Sequence, residues 1–255
     1  MKFGAIITAG GSSTRFGSNK LLEKISGKTI IEYSVEAFLN SGIDEIVICC
    51  GDDLLQKFGD SSFASLSQND KIKIVKGGQT RQESVYNGLM TINCDYVLIH
   101  DAARPMITPE IIEQVKKEVV DKKAVSVMTK TIDTIKEVDQ SGKIIKTIDR
   151  SKLYNTQTPQ AFEYNLIKSV HEKIHNDLPP TVLRTTSPLQ GAEGNAQNIC
   201  PLSGGNVQST KGVIYTDDCS MLEALGYDVY IVEGDYKNIK ITYPSDIELA
   251  KVYLK

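Results

Sequence analysis

From its first residues the chain alternates short apolar runs with stretches of helical periodicity, and that alternation restricts the fold more than any other feature. Runs at 4–8, 45–50, 72–75, 96–100 and 124–128 read as strands, and several are apolar on both faces, as in parallel strands covered on two sides. Between them, 30–39, 82–90 and 109–118 carry helical patterns. Ser34, Glu36 and Asn40 give the first of these a polar side, and Thr108-Pro109 supplies a start signal for the third. Strand–helix–strand repetition of this kind predicts an α/β fold built on an open, doubly wound, mostly parallel sheet. At 255 residues the chain can hold one large domain or two small ones. The strand pattern resumes after each interruption, so a single domain over 1–255 is expected.

Two segments depart from the alternation. The runs 132–137 and 144–148 flank Gln140-Ser141-Gly142 and read as a β-hairpin. It is charged along one side and need not join the main sheet; a projecting arm and a surface hairpin are both compatible with it. The region 176–212 is a long polar insertion rich in Pro, Gly, Ser, Thr, Asn and Gln, expected to be an inert surface feature because lengthening a loop adds little to its closure cost, with a cover over the neighbouring Tyr215-Thr216-Asp217 as the alternative. Beyond these, helices at 164–175 and 217–225, strands at 229–232 and 239–242, and a last helix at 244–253 are expected.

Composition excludes several classes of function. A net charge of −3 provides no basic field for a nucleic-acid polymer. The five cysteines form no CxxC pattern and read as buried thiols. His171 and His175 stand four apart on a helix without an HExxH context, which points to a solvated face rather than to zinc. No apolar run approaches membrane-spanning length and the start has no signal-peptide architecture, so the expectation is a cytoplasmic protein without membrane contact.

The chemistry is concentrated at strand ends. After the first strand comes Ala9-Gly10-Gly11-Ser12-Ser13-Thr14-Arg15-Phe16-Gly17-Ser18-Asn19-Lys20. Small residues let backbone N–H groups approach a polyanion, and the two cations Arg15 and Lys20, five positions apart, can neutralise its charge. Gly27-Lys28-Thr29 ends like a Walker A loop, but Leu22 stands where that loop needs glycine; the segment from Gly10 is not a Gly-x-Gly-x-x-Gly motif either. A nucleoside triphosphate remains the best-matched ligand. Gly77-Gly78-Gln79-Thr80-Arg81-Gln82-Glu83-Ser84 follows another strand, where backbone groups and the Ser84 hydroxyl can read a base edge; a plain turn ahead of a helix is the alternative. Asp101 ends the run 96–100 and suits Mg²⁺, which binds through one or two carboxylates plus phosphates; a turn or cap aspartate is the competing reading. Ligands of doubly wound sheets lie at the carboxyl ends of the strands, so these loops are expected to open on one edge. Asp149-Arg150, Thr156-Gln157-Thr158-Pro159-Gln160, Thr216-Asp217-Asp218 and Asn238-Ile239-Lys240-Ile241-Thr242 add cations and hydroxyls suited to a phosphorylated polyol. Thr216 and Asp217 can equally be helix caps, and Lys240 an edge-strand lysine.

Together these segments resemble the 2-C-methyl-D-erythritol 4-phosphate cytidylyltransferases, over nearly the whole chain and in the family's order. The resemblance implies one nucleotidyltransferase domain, a homodimer joined through an arm at 133–149, and transfer of CMP from CTP to methylerythritol phosphate with release of pyrophosphate. It implies that Arg15 and Lys20 are catalytic cations, with Arg150 and Lys240 holding the acceptor for attack. Ala9, Gly10 and Gly11 would line the nucleotide; Gly78, Gln79 and Ser84 would meet its base. Asp101 matches the Mg²⁺ ligand, and Arg104, Thr134, Thr158 and Thr216 match positions around the sugar phosphate, some of them supplied by the dimer partner. Ser13 stands where many members carry glycine, and 176–212 is longer than the family's usual connection. Ribitol-5-phosphate cytidylyltransferase is the near competitor, a hexose-1-phosphate nucleotidyltransferase a more distant one, and a non-catalytic nucleotide-binding module the alternative of another class.

Overall fold

The structure, a computed structural model, describes residues 1–10, 16, 19–58, 63, 66, 68–177 and 215–254, without the side chains of 176 and 177. Strand β1 (Phe3–Ala9) is followed by a small hairpin of β2 (Lys24–Ile25) and β3 (Lys28–Thr29) and by helix α1 (Ile30–Asn40). Then come β4 (Glu45–Cys50), α2 (Asp52–Lys57), β5 (Ile72–Lys76), α3 (Arg81–Thr91), β6 (Tyr96–Asp101), α4 (Pro109–Lys122) and β7 (Ala124–Lys130). The second half holds the hairpin β8 (Lys136–Val138) and β9 (Ile144–Thr147), strand β10 (Tyr154–Glu163), helices α5 (Tyr164–Asp177) and α6 (Asp218–Ala224), β11 (Tyr230–Glu233) and α7 (Pro244–Tyr253).

Seven strands form one sheet in the order β11-β7-β10-β6-β1-β4-β5. β1 pairs in parallel with both β4 and β6, and β4 with β5. The chain therefore winds outward from β1 to β5, then crosses back to lay β6 on the other side of β1. That reversal opens a crevice at the carboxyl ends of β1 and β6, where doubly wound sheets take their ligands. Side chains alternate between two cores. Ala5, Ile7, Ile46, Ile48 and Leu98 face α1 and α4, whereas Ile6, Val47, Cys49, Val97 and Ile99 face α3, α5 and α6. Each fully buried Ile or Val contributes about 1.5–3 kcal/mol of transfer free energy, so covering both faces holds the strand ends rigid.

Local signals place the helices. Thr29 caps α1 in a reciprocal capping box with Glu32, and Thr80 and Thr108 cap α3 and α4. The Gly27-Lys28-Thr29 that resembles a phosphate loop turns the small hairpin instead. Ser26 and Gly27 both have positive φ, Lys28 pairs with Glu36, and Thr29 is committed to its cap.

Three details differ from the sequence reading. β10 was not anticipated; it runs antiparallel between β6 and β7, which a wholly parallel winding would have made neighbours. The segment 239–242 is no strand, because its backbone bonds to loops and side chains: the Ile241 N–H donates to Ala103 O at 2.8 Å. His171 is buried against Asp218 rather than solvated, and His175 stacks on Tyr86 with ring centroids 4.7 Å apart. The hairpin, as expected, stands apart from the main sheet as its own two-stranded ribbon, with every residue of both strands exposed. The insertion at 176–212 falls almost wholly outside the described residues.

Candidate active site

The expected loops do meet on one edge. Ala9, buried at the end of β1, leads into exposed Gly10, whose Cβ position would lie 3.5 Å from the Ser84 hydroxyl across the crevice. The Gly77 N–H donates to Cys50 O at the end of β4, anchoring the second loop beside the first. Ser84 is buried, accepts the Gly78 N–H at 3.0 Å and donates to Thr80 O at 2.9 Å, so its hydroxyl braces the loop from within. Gly78 has no alternative here, because a Cβ would run into the Cβ of Glu83. Glu83 in turn accepts the Gln79 N–H at 2.6 Å, leaving the Gln79 residue exposed. Gly11 and Arg15 lie outside the described residues.

Asp101 is the centre of the charged cluster. It ends β6 with its side chain 11% exposed, and its carboxylate accepts from Lys240 Nζ at 2.7 Å, Arg81 Nε at 3.3 Å and Thr8 Oγ1 at 3.3 Å. Burial pushes the Asp101 carboxyl up, but Arg81 and Lys240 outweigh it and hold the group well below the usual carboxylate range. Arg81 also donates through Nη1 to Asp218 at 2.7 Å, and the other oxygen of that buried carboxylate meets His171 Nε2 at 3.1 Å. Arg104 donates to the carbonyls of Asn238 and Thr156. Lys20, at the start of a 3-10 turn over Lys20–Leu22, donates to Ile241 O at 2.6 Å. Three cations (Arg81, Arg104, Lys240) thus act on Asp101, and Lys20 reaches the backbone of Ile241 next to Lys240, so the edge gathers positive side chains suited to a polyanion.

Behind Asp101 the bonding is determinate. The Thr158 hydroxyl accepts the Asp101 N–H at 3.1 Å and lies 3.0 Å from His100 Nδ1, to which it donates because the other ring nitrogen faces the Arg104 carbonyl, a group that can only accept. His100 Nε2 therefore carries the ring hydrogen and donates to Arg104 O at 3.2 Å. Burial pushes the His100 pKa down to about 4, which keeps the ring neutral.

The other expected residues sit on the approach to α6 and on the hairpin. Thr216 is exposed just ahead of α6, whose cap is Asp217 in a capping box with Ser220. Thr134 and Arg150 are exposed at the foot of the hairpin, where Arg150 donates to Ile132 O at 2.7 Å. Arg81, Asp218, Gln160 and Asn238 stood within motifs noted in the sequence but were given no role of their own, and His171 was read as part of a solvated face. His171 had a signal: it shares the apolar stripe of α5 with Ile167, Val170 and Ile174, at helical spacing.

The donor set constrains any metal. Among the described residues no three His, Cys, Asp or Glu side chains cluster to hold an ion, so an all-protein cage does not fit. Asp101 fits an ion that arrives with phosphate oxygens and water, because Mg²⁺ commonly takes one carboxylate and substrate ligands for the rest.

Comparison with known proteins identifies the family and the fold. The family model described as IspD, 2-C-methyl-D-erythritol 4-phosphate cytidylyltransferase, matches residues 3–181 and 202–255, and the unmatched stretch falls inside the polar insertion. A 2-C-methyl-D-erythritol 4-phosphate cytidylyltransferase from Caldanaerobacter subterraneus subsp. tengcongensis is 35% identical over 260 residues, covering 100% of both chains. One from Clostridium perfringens is 36% identical over 255 residues, covering 98% of each. The crystal structure of 4-diphosphocytidyl-2C-methyl-D-erythritol synthase from Anaerococcus prevotii superposes with a TM-score of 0.75 at 28% identity, over 99% of this chain and 96% of that one. Among the described residues no helix is long and apolar enough to cross a membrane.

Proposed function

This chain belongs to the 2-C-methyl-D-erythritol 4-phosphate cytidylyltransferase family, and from that premise we propose that it transfers CMP from CTP to 2-C-methyl-D-erythritol 4-phosphate and releases pyrophosphate. The step serves the non-mevalonate route to isoprenoid precursors. The observation that carries the reading is the convergence of the Gly10 and Gly77–Thr80 loops with Asp101, Lys240 and Lys20 on one sheet edge.

An oxygen of the acceptor's phosphate attacks the α-phosphorus of CTP in line. A new P–O bond forms, and the bond from that phosphorus to the β-phosphate's bridging oxygen breaks. A phosphate monoester is already anionic near neutral pH, so the nucleophile needs no base. His100, the histidine beside the site, is consistent with this, since both its nitrogens are committed to Thr158 and Arg104. The difficulty is bringing two polyanions together, and the work of the chain is alignment and charge neutralisation. Lys20 and Arg15 stabilise charge on the triphosphate, the Gly10 and Gly78 backbone holds the nucleotide, and Lys240 and Arg104 draw in the acceptor's phosphate beside Thr216. Mg²⁺ is the cofactor in this reading, with Asp101 the residue that would hold it; when bound it supplies positive charge that favours departure of pyrophosphate.

The reading also makes the chain a cytoplasmic homodimer. Ile132, Val138, Ile144 and Ile145 on and beside the hairpin are each more than half exposed, an apolar surface that a second copy would cover. Thr134 and Arg150, at the foot of that hairpin, would then serve the partner's acceptor site. The deciding experiment is pyrophosphate release with CTP and Mg²⁺ across methylerythritol phosphate, ribitol 5-phosphate and a hexose 1-phosphate. Turnover with the first acceptor at least about 10²-fold more efficient than with the others is expected. CTP binding without turnover on any acceptor would instead make the chain a nucleotide sensor.

A further inference from the structure

Arg81 has a place that the transfer step does not itself demand. It is the first residue of α3, directly after the Gly77–Thr80 loop, and its side chain is 29% exposed. Its Nε reaches Asp101 and its Nη1 reaches Asp218, so one planar guanidinium bridges two carboxylates from different elements. Burial pushes Asp218 up, while Arg81 and His171 bring it below the usual carboxylate range, so both bridged groups are anions. Asp218 is further fixed by Gln160 of β10, which accepts the Asp218 N–H at 3.2 Å and donates to the Asp217 carboxylate at 2.7 Å. Thr216 lies immediately ahead of this anchored pair.

Resting on the proposed transfer reaction, we infer that Arg81 is a positioning residue that ties the nucleotide loop and Asp101 to the acceptor segment 215–218. Without the bridge, two buried carboxylates lose their shared counterion, and the start of α6 loses its link to β6. Asp101 would keep Lys240 as its counterion and hold it more firmly, away from the acceptor's phosphate. A lysine at 81 retains the charge but, as a point donor, cannot span both carboxylates as the fork does.

The test compares the full-length wild type with Arg81→Gln and Arg81→Lys in three measurements: steady-state kinetics in methylerythritol phosphate at saturating CTP, CTP binding by calorimetry without acceptor, and amide hydrogen exchange. Both variants are expected to raise the acceptor KM by about 10-fold or more while CTP affinity stays within about 3-fold. Exchange should quicken about 10-fold at 215–224 and stay unchanged in β1 and β4, whereas a merely structural role would speed exchange everywhere. An unchanged acceptor KM, an equal loss of CTP affinity, or uniform exchange would each overturn the assignment. Arg81→Lys keeps the comparison valid if Arg81→Gln does not fold. A wild type that turns over no acceptor would refute the transfer reaction, and the exchange pattern would then decide the role of Arg81 alone.

Discussion

At the scale of single residues, Thr158 and Lys20 make opposite demands on a substitution. Thr158 carries a structural relay: replacing it with valine strands the Asp101 N–H and the His100 Nδ1, both buried, without partners. Each buried group left unsatisfied costs about 1–3 kcal/mol, so Thr158→Val should lower the unfolding free energy in urea by roughly 3 kcal/mol, and Thr158→Ser by under about 1. A valine variant as stable as wild type would refute the relay. Lys20 should show the reverse pattern. Lys20→Ala removes a preorganised cation and should cut pyrophosphate release on the order of 10²-fold, with circular dichroism and melting temperature close to wild type. Near-normal turnover in that folded variant would remove Lys20 from the machinery.

At the scale of elements, one side chain staples three neighbouring strands. Glu45 begins β4 and accepts from Lys2, beside β1, at 2.8 Å and from Lys73 of β5 at 2.6 Å. Burial raises the Glu45 pKa, but the two lysine bonds prevail and lower it. A carboxyl whose folded pKa is depressed contributes stability above its unfolded value of about 4.3, and that contribution is lost as pH falls through the folded value. Glu45→Gln should therefore cost roughly 1 kcal/mol at pH 7 and almost nothing near pH 2, read from urea unfolding at both pH values. An equal loss at both would show that packing, not charge, is what glutamate provides there. The strands that were legible in the sequence share the property Glu45 supports: β1, β4 and β6 are buried on both faces and announce themselves as apolar runs. β10 does not, because its residues are largely polar and Pro159 interrupts it; the ladder tolerates this proline at a register shift between Thr156 and Gln160. The site divides in the same way. Loops of glycine and cations at strand ends were readable, whereas the Arg81–Asp218–His171 bridge was not, because 137 residues separate Arg81 from Asp218 and only the fold brings them together.

At the scale of the whole molecule, the hairpin is the surface through which the proposed dimer would form. Ile144 and Ile145 point to opposite sides of β9 and are 58% and 57% exposed. Replacing both with aspartate should leave the melting temperature within a few degrees, since neither side chain belongs to the core, and should shift sedimentation from dimer to monomer. On that proposal activity should fall about 10-fold or more with it, as Thr134 and Arg150 would leave the neighbouring site. A variant that stays dimeric would move the interface elsewhere on the surface. The placing of β10 has a different consequence, one for synthesis. Its two flanking strands leave the ribosome first, and until residue 163 follows they have no common neighbour. A nascent chain stopped at 150 would thus present a bare hydrogen-bonding margin along β6, open to pairing with stray polypeptide. The first 150 residues are therefore no autonomous module; their sheet is completed only when the later part of the gene is translated and its strand slots in.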